Sequence, residues 1–96
     1  MTVLVSYDVA VSSKGGRARL RKIAQACLDF GQRVQFSVFE CSVGEVQWVE
    51  LRHRLLGIMD PAKDSVRFYF LGEEPAARVE HHGVKLPRDL DGPLVV

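Results

Sequence analysis

Strand-type and helix-type hydrophobic patterns alternate along this chain, and their order leaves few folds open. Thr2 to Tyr7 is short, apolar and rich in β-branched residues, which predicts a buried strand ending at Asp8. Ser12, Ser13, Gly15 and Gly16 then mark a loop. From Arg17 to Phe30 the pattern becomes helical: Leu20, Ile23, Ala24, Cys27 and Leu28 recur at steps of three and four, with Arg17, Arg21, Lys22 and Gln25 largely on the other side. Gly31 is placed to stop that helix. Val34 to Cys41 carries large apolar groups in both of its alternating sets, so one half-buried strand fits poorly. A bulge or break near Phe36 or Ser37 would split it into two strands of opposite register. Ser42 and Glu45 have capping-box spacing, and the helix they introduce runs to about Met59 with Trp48, Leu51, Leu55, Ile58 and Met59 as its stripe. On this helix Glu50 and Arg54 have the spacing of an i,i+4 ion pair. Ser65 to Leu71 is a further alternating strand, followed by a loop over Gly72 to Arg78 and a tail over Val79 to Val96.

Strand, helix, paired strands, helix, strand is the order βαββαβ, the ferredoxin-like plan of the α+β class. The expected sheet is antiparallel, with both helices on one face and the other face open. The strands hold too many apolar residues for both faces to be wet. A chain of 96 residues has room for one modest core, so residues 1–96 are expected to form a single domain. The apolar Leu94, Val95 and Val96 lie outside any predicted element, and the edge strand of a neighbouring subunit is one place to bury them.

No apolar run is long enough to span a bilayer, and residues 1–8 lack the basic and apolar regions of a secretory signal. The expected location is the cytoplasm, with no membrane partner. Cys27 and Cys41 both fall at positions that read as buried, and no CxxC or Cys/His spacing suggests zinc, so two reduced core thiols are expected. The net charge of +1 conceals an asymmetry. Residues 14–33 hold six basic groups and one acid, a local +5, while seven basic and eleven acidic residues leave −4 elsewhere. Such a segment on an otherwise acidic domain points to a directed electrostatic face.

Asp8 stands where a buried strand opens into a glycine-containing loop, a place suited to a functional carboxylate, a solvated loop acid or an Asx-type turn. Arg17, Arg19, Arg21 and Lys22 open a helix at the end where cations oppose the macrodipole, so helix stability does not ask for them. They read either as a solvated face or as phosphate ligands, a role the arginine fork suits. His81 and His82 are adjacent, point apart in a strand, and read as surface histidines. Gly15 and Gly16 are too short a pattern for a phosphate loop.

The opening Val3-Leu4-Val5-Ser6-Tyr7-Asp8 resembles the strand-ending Tyr-Asp of the CRISPR-associated endonuclease family Cas-two. The segment Gly16 to Lys22 is similar to that family's arginine-rich first helix, and Gly31 to Cys41, with Ser37-Val38-Phe39-Glu40, to its most distinctive stretch. Asp64 to Gly72 resembles its fourth strand, and Gly92 to Val96 the tail of the subgroup found with type I-C systems. The resemblance implies a ferredoxin-like homodimer whose last strand adds to the partner's sheet. It implies that Asp8 is the catalytic and metal-holding aspartate, with Mg2+ or Mn2+ as cofactor. It implies nucleic-acid contacts from Arg17, Arg19 and Arg33, and from Tyr7 of the Tyr-Asp pair. The implied activity is endonucleolytic, on RNA or double-stranded DNA, during spacer acquisition. The alternative it implies is a non-catalytic DNA-binding scaffold beneath the integrase Cas-one, a role that needs no chemistry from Asp8. A small-molecule regulatory domain shares the fold but gives no reason for the arginines.

Overall fold

The computed structural model describes residues 1–72 and 78–84. Its elements are β1 (Thr2–Asp8), α1 (Gly16–Leu28), β2 (Gly31–Gln35), β3 (Val38–Ser42), α2 (Glu45–Ile58), β4 (Ser65–Leu71) and β5 (Arg78–Gly83). The sheet order is β2-β3-β1-β4-β5, and every neighbouring pair is antiparallel. The first four strands follow the ferredoxin-like plan, and β5 extends the sheet beside β4. The expected two-layer α+β architecture is therefore present. The terminal 92–96 segment, expected to reach a partner subunit, lies outside the described residues.

Alternation in β1 sends Val3, Val5 and Tyr7 to the helix side, where they are buried. Phe39 and Cys41 of β3 and Val66 and Phe68 of β4 join them, and the helices contribute Ile23, Ala26, Cys27, Leu51 and Leu55. Trp48 of α2 meets Phe68 and Phe70 edge-on, with centroids 4.8 and 5.0 Å away. The two cysteines are buried and unbonded to each other, as expected. Desolvation, aided by the other thiol, pushes Cys27 up to about 12.

The doubly apolar run resolves as a hairpin. Phe36 and Ser37 form the turn between β2 and β3, and the register slips between Arg33 and Gln35. Gly31 does not end α1 with a left-handed residue. It lies inside β2, where a Cβ would meet the Glu40 carbonyl oxygen at 2.1 Å and Cys41 Cα at 2.7 Å. Space, not φ, demands glycine there.

Three local expectations are corrected. Ser42 belongs to β3, and α2 begins after Gly44, whose amide donates to Gln47 Oε1 at 3.0 Å. Gln47 therefore supplies the reciprocal half of the cap that was expected of Glu45. Arg54 pairs across the helix layer with Asp29 at 2.7 Å rather than along α2 with Glu50. Leu20 and Leu28 of α1 are exposed, because the buried stripe runs through Ile23, Ala26 and Cys27.

β5 was read from sequence as part of the tail. Its helix-side residues are polar but engaged: Glu80 pairs with Arg52 of α2 at 2.7 Å, and Arg78 lies over the Phe70 ring at 4.8 Å. Glu80 also bonds His82. Tertiary partners, not hydrophobic alternation, make this segment a strand.

Candidate nucleic-acid interface and its carboxylates

Asp8 is the last residue of β1, exposed and opposite Ser65 of β4. Among the described residues it makes no ion pair. Strand alternation sets it on the face away from the helices, the reverse of Tyr7 beside it. Tyr7 is only 5% exposed. Its ring stacks near Phe39 with centroids 6.1 Å apart, and its hydroxyl donates to the Phe36 carbonyl at 3.5 Å. Burial pushes the phenol pKa up. Any contact of Tyr7 with a ligand is thus confined to an edge of a core ring.

That edge belongs to a groove of about 530 Å³ between the outer side of α1 and the β2–β3 turn. Arg17, Arg21 and Arg33 line it, over an apolar floor that includes Leu20 and Leu28. Among the described residues no acidic side chain lines it. The Arg33 guanidinium carbon sits 5.0 Å from the centroid of Phe39, a cation–π contact that fixes its direction. Phe36 stands at the rim with 93% of its surface exposed. The exposed Leu20 and Leu28 are thus part of a concave site rather than misplaced core. Arg21, which the resemblance does not single out, is one of the basic residues read as a solvated face or as phosphate ligands, and Phe36 was read only as turn. The charge segment pointed to the first, but the pattern held no signal for the second.

Arg19 is placed differently. Its Nε donates to Asp64 Oδ2 at 2.7 Å and its Nη2 to Asp64 Oδ1 at 3.2 Å. The same fork reaches Ser13 Oγ and the Lys14 carbonyl, each at 2.7 Å. Its side chain is 14% exposed and that of Asp64 is fully buried. Of the arginines expected to meet phosphate, Arg17 and Arg33 face the groove and Arg19 faces inward to this carboxylate. Burial pushes the Asp64 pKa up, but Arg19 and the backbone amides of Asp60 and Ala10 outweigh it and hold the carboxyl below its ordinary value of 3.8.

The loop between β1 and α1 closes tightly around these groups. Gly15 caps the helix at φ 75, in the left-handed region. A Cβ on Gly16 would lie 2.3 Å from the Ala10 carbonyl oxygen. This loop therefore brings the arginine-bearing end of α1 against the exit of β1.

Among the described residues no three potential ligands cluster as a preformed metal cage, and no helix is long and apolar enough to cross a membrane. One exposed carboxylate suits a hard divalent ion that keeps most of its waters and takes further oxygens from a substrate.

Comparison with known proteins agrees with the motifs. The family described as CRISPR associated protein Cas2 matches residues 1–79. A Chlorobaculum tepidum protein named CRISPR-associated endoribonuclease Cas2 is 59% identical over 96 residues, covering all of both chains. A Halalkalibacterium halodurans protein named CRISPR-associated endonuclease Cas2 is 50% identical over 95 residues, 99% of each chain. The crystal structure of Streptococcus pyogenes Cas2 at pH 6.5 superposes with a TM-score of 0.70 at 55% identity, over 76% of this chain and 88% of that one. A hypothetical protein from Thermus thermophilus gives 0.62 at 31% identity, over 80% and 96%. With its Tyr7-Asp8 strand end, its arginine-bearing α1 and its ferredoxin-like sheet, this chain belongs to the Cas2 family of CRISPR associated proteins.

Proposed function

We propose that the chain is one subunit of a homodimeric, metal-dependent endonuclease that cleaves phosphodiesters of RNA or double-stranded DNA in spacer acquisition. The observation that carries this reading is the groove of Arg17, Arg21 and Arg33, free of acids among the described residues and ending beside the strand that delivers Asp8. Relatives of full length are named as endoribonuclease and endonuclease, which supports the chemistry. In this reading Arg17, Arg21 and Arg33 clasp successive phosphates, each through a planar fork that can bond two oxygens. Arg33 is pre-oriented by Phe39, so little rotamer freedom is lost on binding. Nothing in the groove is arranged to read base edges, so binding is to backbone and falls steeply with salt. Asp8 would hold Mg2+ or Mn2+, which supplies Lewis acidity at the scissile phosphate and a water of lowered pKa. One carboxylate per subunit is a sparse site. Asp8 faces the open side of the sheet, so a second subunit docked there would bring a second Asp8.

A second reading is a non-catalytic scaffold that presents DNA to the integrase Cas-one. It is favoured by the separation of the arginine groove and Asp8 onto opposite faces of the sheet, which lets binding stand without cleavage. The Asp8→Asn variant tests both. On the nuclease reading, divalent-dependent cleavage disappears while oligonucleotide affinity, the thermal midpoint and the oligomeric state stay at wild-type values. Cleavage that survives both chelation and Asp8→Asn overturns it. Wild-type protein that binds duplex DNA without cutting RNA or DNA supports the scaffold.

A further inference from the structure

We infer that Asp64 is a positioning residue for Asp8, and that Arg19 serves as its partner in a buried latch rather than as a ligand for phosphate. The inference rests on the nuclease reading for what the latch positions, but its geometry stands apart from that reading.

Asp64 sits just before β4, and its two oxygens accept four bonds. Oδ1 takes the Ala10 amide at 3.0 Å and Arg19 Nη2. Oδ2 takes the Asp60 amide at 2.9 Å and Arg19 Nε. Ala10 is two residues beyond Asp8, so its peptide sets where the chain leaves β1. The next peptide is gripped too: the Ala10 carbonyl accepts from the Ser13 amide at 3.0 Å and lies against Gly16. Arg19 also bonds Ser13 and Lys14, so one guanidinium stitches the whole β1–α1 loop to one carboxylate.

The main chain of Asp64 holds a third segment. Its carbonyl accepts the Val84 amide at 3.0 Å, directly after β5, and a Cβ on Gly83 would approach it to 1.9 Å. The strand end bearing Asp8, the start of α1 and the exit of β5 thus meet at one residue. A buried carboxylate with all its partners supplied is rigid, and a rigid loop is what a carboxylate that must meet a phosphate within fractions of an ångström requires.

A phosphate role for Arg19 would break this arrangement. Turning its fork outward would leave Asp64 as an unpaired buried charge, which is strongly unfavourable. Arg17, two residues earlier on α1, lines the groove instead.

The test compares Arg19→Ala, Arg19→Lys and the double variant Arg19→Ala/Asp64→Ala with Arg17→Ala in the full chain. The double variant removes both charges together, so a fold lost to one orphaned charge does not end the experiment. Three quantities are read: amide hydrogen exchange at Ala10, the dependence of single-stranded oligonucleotide affinity on salt, and kcat and KM for Mn2+-dependent cleavage. For the latch, Ala10 exchange accelerates in all Arg19 variants, including Lys, which keeps the charge but lacks the fork. The salt slope stays at its wild-type value in the Arg19 variants and becomes shallower by about 0.7 in Arg17→Ala. The value of kcat falls by about tenfold to a hundredfold at unchanged KM. A salt slope made shallower by Arg19→Ala overturns the latch in favour of a phosphate contact. Unchanged Ala10 exchange in the double variant, or full kcat despite faster exchange, overturns the positioning role. If the wild-type protein cuts no nucleic acid, the nuclease reading fails, and with it what Asp64 was inferred to position for. Exchange and salt slope would still decide whether Arg19 is a latch or a phosphate ligand.

Discussion

Charge and burial act together at single residues, and Asp64 is where their balance is tightest. Its carboxyl is held below its ordinary value because Arg19 and two amides outweigh its desolvation. A carboxylate whose pKa is depressed on folding contributes stability above the unfolded value, and that contribution is lost as pH falls through the folded one. The thermal midpoint should therefore decline as pH falls below about 4. In the doubly uncharged Arg19→Ala/Asp64→Ala variant this acid decline should be shallower, although the variant is less stable at neutral pH. An equally steep decline would show that other carboxylates govern acid unfolding. The cysteines follow the same physics in the opposite direction. Desolvation pushes Cys41 up to about 11 and Cys27 higher still, so neither offers a thiolate near neutrality. Both should react with a thiol reagent only as fast as the protein opens, and two prompt equivalents in the folded state would contradict their burial. None of this was legible at Asp64 from sequence. It stands in a polar stretch after Pro61, Ala62 and Lys63, and burial there is decided by segments from opposite ends of the chain. Asp8 was legible because a single local signal, a strand meeting a glycine loop, marks it.

At the level of elements, sequence pattern succeeded wherever burial is one-sided and faltered at the edges of the sheet. β1 and β4 are interior strands of the sheet and alternate between core and open face, so their limits matched within a residue or two. β2 and β5 are the outer strands, where side chains answer to individual partners rather than to a core. Arg33 leans on Phe39 and Arg78 on Phe70, and such pairs leave no period in the sequence. The β2–β3 hairpin was foreseen as a break, and its turn brings Phe36 to the groove rim. Its inner end depends on Gly31. Because a Cβ there would run into the Glu40 carbonyl and Cys41 Cα, which are backbone atoms and cannot swing aside, Gly31→Ala should destabilise the protein by about 1–3 kcal/mol. For a domain of this size, that lowers the thermal midpoint by about 4–8 °C per kcal/mol. A midpoint unchanged within a degree would mean that the strands do not approach so closely.

For the molecule as a whole, the unanswered surface is the sheet face away from the helices. Strand register aligns Val38, Ser6, Arg67 and His81 in one row across it, and Glu40, Leu4, Tyr69 and Val79 in the next. Leu71 and Val79 are exposed there, at 46% and 44%. In the first row Arg67 Nε and His81 Nδ1 are shielded from solvent and have no hydrogen-bond partner among the described residues, a costly state for polar atoms in an isolated subunit. Apolar side chains and unpartnered polar atoms together describe a face suited to a second protein surface, and the proposed homodimer supplies one in which two copies of Asp8 share an axis. Leu4→Glu tests this at the centre of the face, because it sets a second acid beside Glu40 and desolvates both if a partner docks. The variant should sediment as a monomer at low micromolar concentration, where wild type sediments as a dimer. Divalent-dependent cleavage should fall with it, since each half-site would keep only one carboxylate. Single-stranded oligonucleotide binding should persist, because Arg17, Arg21 and Arg33 lie on the other side of the sheet. A variant that stays dimeric and active would place the interface elsewhere, and a monomeric variant that still cleaves at the wild-type rate would show that one Asp8 suffices.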